Sequence, residues 1–226
     1  MIVAIHQPNF LPWLGYFHKM ACADRFVFLD GVPFAKGSYT NRVKIKTAAG
    51  EQWLTVPVIT SGKLGQDITG VRCNDAANWR KKIAAALQTN YKQCPHYRPY
   101  GEQVTEIISA AADSLTGLNV RLVQYVADKL DIRTPTVRSS GLKAQGRAVD
   151  LLIGICHELG ADTYLSGSGG ANYQDEEMFS KGGIRLIYAD YHHPQYPQQF
   201  GDFIPGLSII DLLCNCGPDS RSILGL

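Results

Sequence analysis

From Leu118 to Tyr188, amphipathic stripes alternate with short apolar runs joined by short links, a pattern that few architectures can absorb. Leu118, Leu122, Val126 and Leu130 recur every four residues, the spacing of one helical face. Thr134–Val137 reads as a strand. Ala148–Leu159 reads as a helix with Leu151, Leu152, Ile155 and Leu159 facing inward. Asp162–Leu165, Gln174–Ser180 and Ile184–Tyr188 continue as strand, helix and strand. Repeated β–α units with short connections pack as a mostly parallel sheet with helices on both faces, a three-layer α/β fold.

The N-terminal region follows the same grammar. Ile2–Ile5 is a short apolar run that stops at His6-Gln7-Pro8, and Pro8 and Pro12 hold the next segment out of regular structure. Leu14–Ala23 then reads as a helix and Phe26–Leu29 as a second buried strand closed by an Asp30-Gly31 turn. A β-hairpin is inserted next, Arg42–Lys46 against Gln52–Val58, turning at Ala49-Gly50. Lys36, Arg42, Lys44 and Lys46 make one face or rim of it basic. Trp79–Tyr91 reads as a helix, and Leu207–Leu213 as a final short one. The 226 residues suffice for one sizeable core or two small ones, and a single domain over 1–226 is expected.

The bulk properties exclude more than they assign. A formal net charge of +2 gives no reason to expect a nucleic-acid partner. No apolar stretch approaches the roughly 18 residues of a membrane span, so an integral membrane protein is not expected. Met1–Ile5 lacks a basic leader, and His6 and Gln7 break the apolar run at once, so a cytoplasmic location is expected. Cys22, Cys73, Cys94, Cys156, Cys214 and Cys216 read as free thiols, with only Cys214 and Cys216 close together. No metal site is expected from that spacing.

Two loops carry the candidate chemistry. The first, His6 to Tyr16, follows the first strand directly and packs a histidine, two amides and three aromatics around two prolines. In it His6, Gln7 and Asn9 are expected to face a ligand, with Trp13 and Tyr16 as walls. In an open parallel sheet, ligands bind at the carboxyl ends of strands. The second loop, Leu165 to Tyr173, also follows a strand. Its glycines and serines let main-chain N–H groups converge on an anion, which marks Ser166, Gly167, Ser168, Gly169, Gly170, Asn172 and Tyr173. Asp175, Glu176 and Glu177 occupy the first turn of the following helix and satisfy its positive end. Any phosphate is therefore expected on the loop amides rather than on the helix dipole. Asp30 at a strand end and Asp211 near the last helix are candidate proton acceptors, and Arg42 a candidate anion clamp. Ser208 reads as an N-cap, with Asp211 as the second half of a capping-box-like pair. His192-His193 lies in an aromatic, proline-rich stretch, and adjacent histidines point to opposite faces.

At these residues the chain resembles the WbqC-like family. The matching pieces are IHQPNFLPWLGYFHKM, ADRFVFLD, YTNRVKIK, TYLSGSGGANY and FIPGLSIIDLL, spread along nearly the whole chain. The resemblance implies an enzyme of O-antigen or other surface-polysaccharide synthesis that places glycine or another acyl group on an amino sugar. In a nucleotide-dependent version of that reaction, ATP with Mg2+ activates the carboxylate and a nucleotide-linked amino sugar is the partner. Nucleotidyl transfer and non-catalytic sugar-nucleotide binding are the alternatives, and a homo-oligomer is compatible with each. The chain is also similar in plan to the class I nucleotidylyltransferases, with a His motif after the first strand and a Ser/Gly motif after a late one. One histidine stands in the first motif where that superfamily has two, and His18 lies too far along to supply the second.

Overall fold

The computed structural model describes residues 1–63, 65–167, 169–170 and 175–226. Its strands are β1 (Ile2–His6), β2 (Arg25–Phe28), β3 (Arg42–Thr47), β4 (Gly50–Thr55), β5 (Thr136–Arg138), β6 (Thr163–Ser166) and β7 (Arg185–Tyr188). Its helices are α1 (Leu14–Ala21), α2 (Trp79–Tyr91), α3 (Gln103–Ala110), α4 (Leu115–Lys129), α5 (Ala148–Glu158), α6 (Glu176–Lys181), α7 (Ile209–Cys216) and α8 (Ser220–Ile223). The chain divides into two compact units. Met1–Gln7, Gly15–Gly31 and Ile132–His192 form unit 1, and Pro8–Leu14, Val32–Asp131 and His193–Leu226 form unit 2.

Unit 1 holds a five-stranded sheet in the order β5-β2-β1-β6-β7, parallel at every pairing. The α/β class read from the sequence is the observed one. Side chains alternate across the sheet and show both faces covered. Val3, Ile5, Val27 and Tyr164 pack in one core with Ile155 and Cys156 of α5 and Phe179 of α6. On the other face Tyr16 of α1 lies 5.3 Å from the ring of Phe26 and 4.8 Å from that of His6. This placement is what right-handed crossovers require. The chain moves from β1 to β2 in one direction and from β6 to β7 in the other, so α1 and α6 must lie on opposite faces. The reversal falls between β1 and β6, which are hydrogen-bonded neighbours.

Unit 2 is built on the antiparallel hairpin β3–β4 and the helices α2, α3, α4, α7 and α8. Thr47 pairs with Gly50, so the turn is Ala48-Ala49 rather than Ala49-Gly50, and Gly50 opens β4 with a positive φ of 99°. Val43, Ile45 and Leu54 point to the buried face, and Arg42, Lys44 and Trp53 to the other. The four-residue stripe of α4 is buried as expected, but α4 belongs to unit 2 and is not one of the sheet's crossover helices. A π-helical turn over Arg98–Glu102 leads into α3, a pair the sequence reading did not resolve because Pro99 and Gly101 disguise the start. The helix read at Leu207–Leu213 starts and ends later, and α8 follows it.

Candidate functional site

The carboxyl edge of the unit 1 sheet brings together the ends of β2, β1 and β6. β1 is hydrogen-bonded to β2 on one side and β6 on the other, so His6, Phe28 and Ser166 end neighbouring parallel strands. His6 lies opposite Phe28 in register, and its carbonyl accepts from Leu29 N at 2.8 Å. In open parallel sheets ligands bind where the crossovers diverge, and here they diverge between the strands that end in His6 and Ser166.

His6 is partly exposed, but α1 packs against its ring. Tyr16 is 1% exposed and donates from its hydroxyl to Gln7 O at 3.1 Å. It holds the strand end in place from below rather than forming an open wall. One turn further along α1, Lys19 is 4% exposed, and its Nζ donates to Ile5 O at 2.8 Å. Burial lowers the Lys19 ammonium from its ordinary 10.5 to about 7. Burial first, and then the Lys19 charge, hold His6 well below the usual histidine range. The edge therefore presents a neutral imidazole beside an amine balanced between its two protonation states. Lys19 was missed because a lysine in the last turn of a helix reads as a solvated partner of the helix dipole. The i, i+3 spacing from Tyr16 was the available signal that it shares the buried face.

Among Ser166 to Tyr173, the described residues are Ser166, Gly167, Gly169 and Gly170; Ser168, Asn172 and Tyr173 lie outside the described residues. Ser166 is 2% exposed and its carbonyl accepts from Ala189 N at 2.9 Å. Gly170 N donates to Gly167 O at 2.8 Å, so that amide is used within the loop. A Cβ at Gly167 or Gly169 would meet nothing within 4 Å among the described residues. Asp175 caps α6 by accepting from Met178 N at 3.1 Å, as its place in the first turn suggested.

The two candidate carboxylates have structural partners. Asp30 is fully buried and accepts from Arg138 Nε and from Ser139 Oγ at 3.1 Å, Ser140 N at 2.9 Å and Ser140 Oγ at 3.0 Å. Those donors pin the end of β5 to the end of β2. Asp211, in unit 2, is 1% exposed and accepts from Tyr91 at 2.9 Å and Tyr196 at 2.9 Å. Burial raises its carboxyl above the usual range, and the two hydroxyls oppose that rise. Ser208 does cap α7, but Asp211 does not close a capping box. The Ser208 N–H it would have accepted is already given to Lys44 O at 2.9 Å.

Asn9, Trp13 and Arg42 also belong to unit 2. Pro8–Leu14 is fixed there at every turn. Asn119 Nδ2 donates to Pro8 O at 2.7 Å and to Thr40 O at 2.7 Å. Ser208 Oγ donates to Leu11 O at 2.8 Å, holding a leucine at the strained φ of 42°. Asn9 is buried at 4% exposure. Trp13 is half-buried against Tyr39, their rings 5.2 Å apart. The Arg42 guanidinium lies 4.2 Å from the ring centre of Trp53. His192 is exposed, whereas His193 stacks on Tyr196 and accepts from Gly206 N at 3.0 Å. Among the described residues no helix is long and apolar enough to cross a membrane, and no group of three His, Cys, Asp or Glu is placed to hold a metal.

Comparison with known proteins agrees with the motifs. The chain is 34% identical over 224 residues to the uncharacterized protein Rv1507c of Mycobacterium tuberculosis, covering 98% of this chain and 96% of that one. No solved structure matches it. The WbqC-like protein family matches residues 7–223, and the chain belongs to that family.

Proposed function

We propose that the carboxyl edge of the unit 1 sheet binds the phosphates of a nucleotide, and that the protein is an enzyme of surface-polysaccharide synthesis that forms an amide on an amino sugar. The observation that carries this reading is that β1 and β6, which end in His6 and Ser166, are neighbouring parallel strands at the point where the crossovers reverse. The ligand class follows from what those strand ends carry, an imidazole and a glycine-rich loop with main-chain N–H groups. Such preorganised donors act most strongly on charge that develops during reaction.

In this reading a small carboxylate such as glycine attacks the α-phosphorus of ATP and pyrophosphate leaves. The sugar amine then attacks the acyl carbon, AMP leaves and a proton is released. His6 and the amides of Gly167 and Gly169 hold phosphate charge in the first step, while Lys19 holds the end of β1 through Ile5 O. Asp30 and Asp211 carry no part in the proton transfer, since their oxygens are already engaged. Magnesium would arrive on the phosphates and be held chiefly by their oxygens and water.

Thermal-shift titration with ATP, UDP- and dTDP-sugars and glycine, with and without magnesium, tests the reading. A ligand that binds the folded state raises the melting temperature by mass action. ATP is expected to stabilise the protein and His6→Ala to remove the effect. Stabilisation by sugar nucleotides alone would overturn the adenylate step. Pyrophosphate release that needs no acyl donor would assign plain nucleotidyl transfer instead.

A further inference from the structure

The solvent-facing side of the unit 2 hairpin carries a strip of aromatic rings. Tyr39 is 40% exposed and Trp53 39% exposed, unusual for side chains of this size. Trp13, Tyr39 and Trp53 touch in series, with centroids 5.2 Å and 5.8 Å apart and planes tilted by 56° and 52°. Arg42 sits over Trp53, and Lys44 Nζ is 5.5 Å from the same ring. The two cations differ in one respect. Lys44 is paired with Glu51. Arg42 has no acceptor among the described residues, and its Nε is buried without one. The Tyr39 hydroxyl and the Trp53 indole N–H likewise meet no acceptor among the described residues. Trp53 also lines a groove of about 310 Å³ between β4 and α2, together with Pro57, Trp79 and Lys82.

We infer that this strip is a binding site for an acidic saccharide of two or more rings. Rings in series tilted by 52° or more to one another offer no pair of parallel faces for a planar base to enter. They present successive faces to a chain of puckered rings, whose C–H groups stack on aromatic surfaces. Arg42, held flat on Trp53 with free donor capacity, supplies the charge complement for a carboxylate or phosphate on the saccharide. The exposed hydroxyl and indole N–H can bond sugar hydroxyls. The inference deepens the function proposed above by naming an acidic saccharide as a substrate class, and it rests on that reading for its biological setting only. The binding itself rests on the hairpin.

The test is a tryptophan-fluorescence titration of the whole protein with trigalacturonate, glucose 1-phosphate, maltotriose and UMP. Trigalacturonate is expected to bind, with maltotriose weaker by about tenfold for want of the charge. Glucose 1-phosphate, a single charged ring, is expected to bind about tenfold more weakly than trigalacturonate, and equally tight binding would overturn the claim that the strip reads two or more rings. Trp53→Ala and Arg42→Gln are each expected to weaken binding about tenfold, and Trp53→Phe to restore most of it. Trp53 is exposed and Arg42 half-buried, and circular dichroism reports whether the fold is kept in each of the three variants. Absence of saturation by both acidic sugars overturns the inference, as does UMP binding more tightly than either. Trigalacturonate carries no phosphate, so its result stands apart from that of the ATP titration.

Discussion

Lys19 gives a hydrogen bond from its buried Nζ to the carbonyl of Ile5, 2.8 Å away and one residue before His6. The lysine thus sits under the strand end that offers the imidazole. Two ionisable groups that are cationic by habit share a desolvated edge, and the cheapest arrangement keeps at least one of them neutral.

The first consequence is visible by NMR. His6 is expected to stay neutral well below pH 6.5, the ordinary histidine value, because burial and then Lys19 oppose its charge. In Lys19→Met the His6 midpoint should rise, since one of the two causes is gone, while staying below the ordinary value because burial persists. A His6 Cε1–H resonance that titrates identically in both proteins would show that Lys19 does not act on it.

Lys19 also makes stability depend on pH, with a definite sign. The unfolded chain holds the lysine proton up to about 10.5, whereas the folded protein releases it near 7. Between those values the unfolded state binds more protons, so this group's contribution to stability rises with pH across the window. Below pH 7 the full burial cost is present. Lys19→Met should therefore be the more stable protein at pH 6, with wild type closing the gap toward pH 10. Urea denaturation of both proteins across that range measures the difference directly, and a gap that stays constant would count against a neutral Lys19.

Asp30 makes a prediction about structure. Its carboxylate is fully buried, while its partner Arg138 is half-exposed at 48%. Asp30→Ala strands the Ser140 N–H and releases the end of β5 from β2, at an expected cost of about 3 kcal/mol. Arg138→Ala leaves a buried anion with its serine and amide donors, and should cost less than Asp30→Ala because part of the arginine was already in water. Chemical denaturation of the two variants gives the order. If instead Asp30→Ala kept full stability and lost all turnover, Asp30 would be a proton acceptor after all.

Much of this was legible in particular stretches of sequence. The run Ile2–Ile5 ending at His6, the inward stripe of Leu151, Leu152 and Ile155, and the cap at Asp175 each arise from local patterning or turn chemistry. Each appears where the sequence placed it. The fates of Asp30, Asp211 and Tyr16 were not legible. A carboxylate at a strand end or in a first helical turn looks the same in sequence whether water or four protein donors surround it. The donors to Asp30 come from Arg138, Ser139 and Ser140, and those to Asp211 from Tyr91 and Tyr196, all remote along the chain.

The sequence by itself determined the parallel α/β architecture, because hydrophobic periodicity and glycine and proline placement act over a few residues. It also marked the two loops that follow β1 and β6. Tertiary structure alone decided that those strands are neighbours at the point where the crossovers reverse, that Lys19 is buried beside His6, and that Arg42 lies on Trp53 with no acceptor among the described residues. Strand order, burial and charge pairing depend on residues brought together from distant parts of the chain, and no local pattern encodes them.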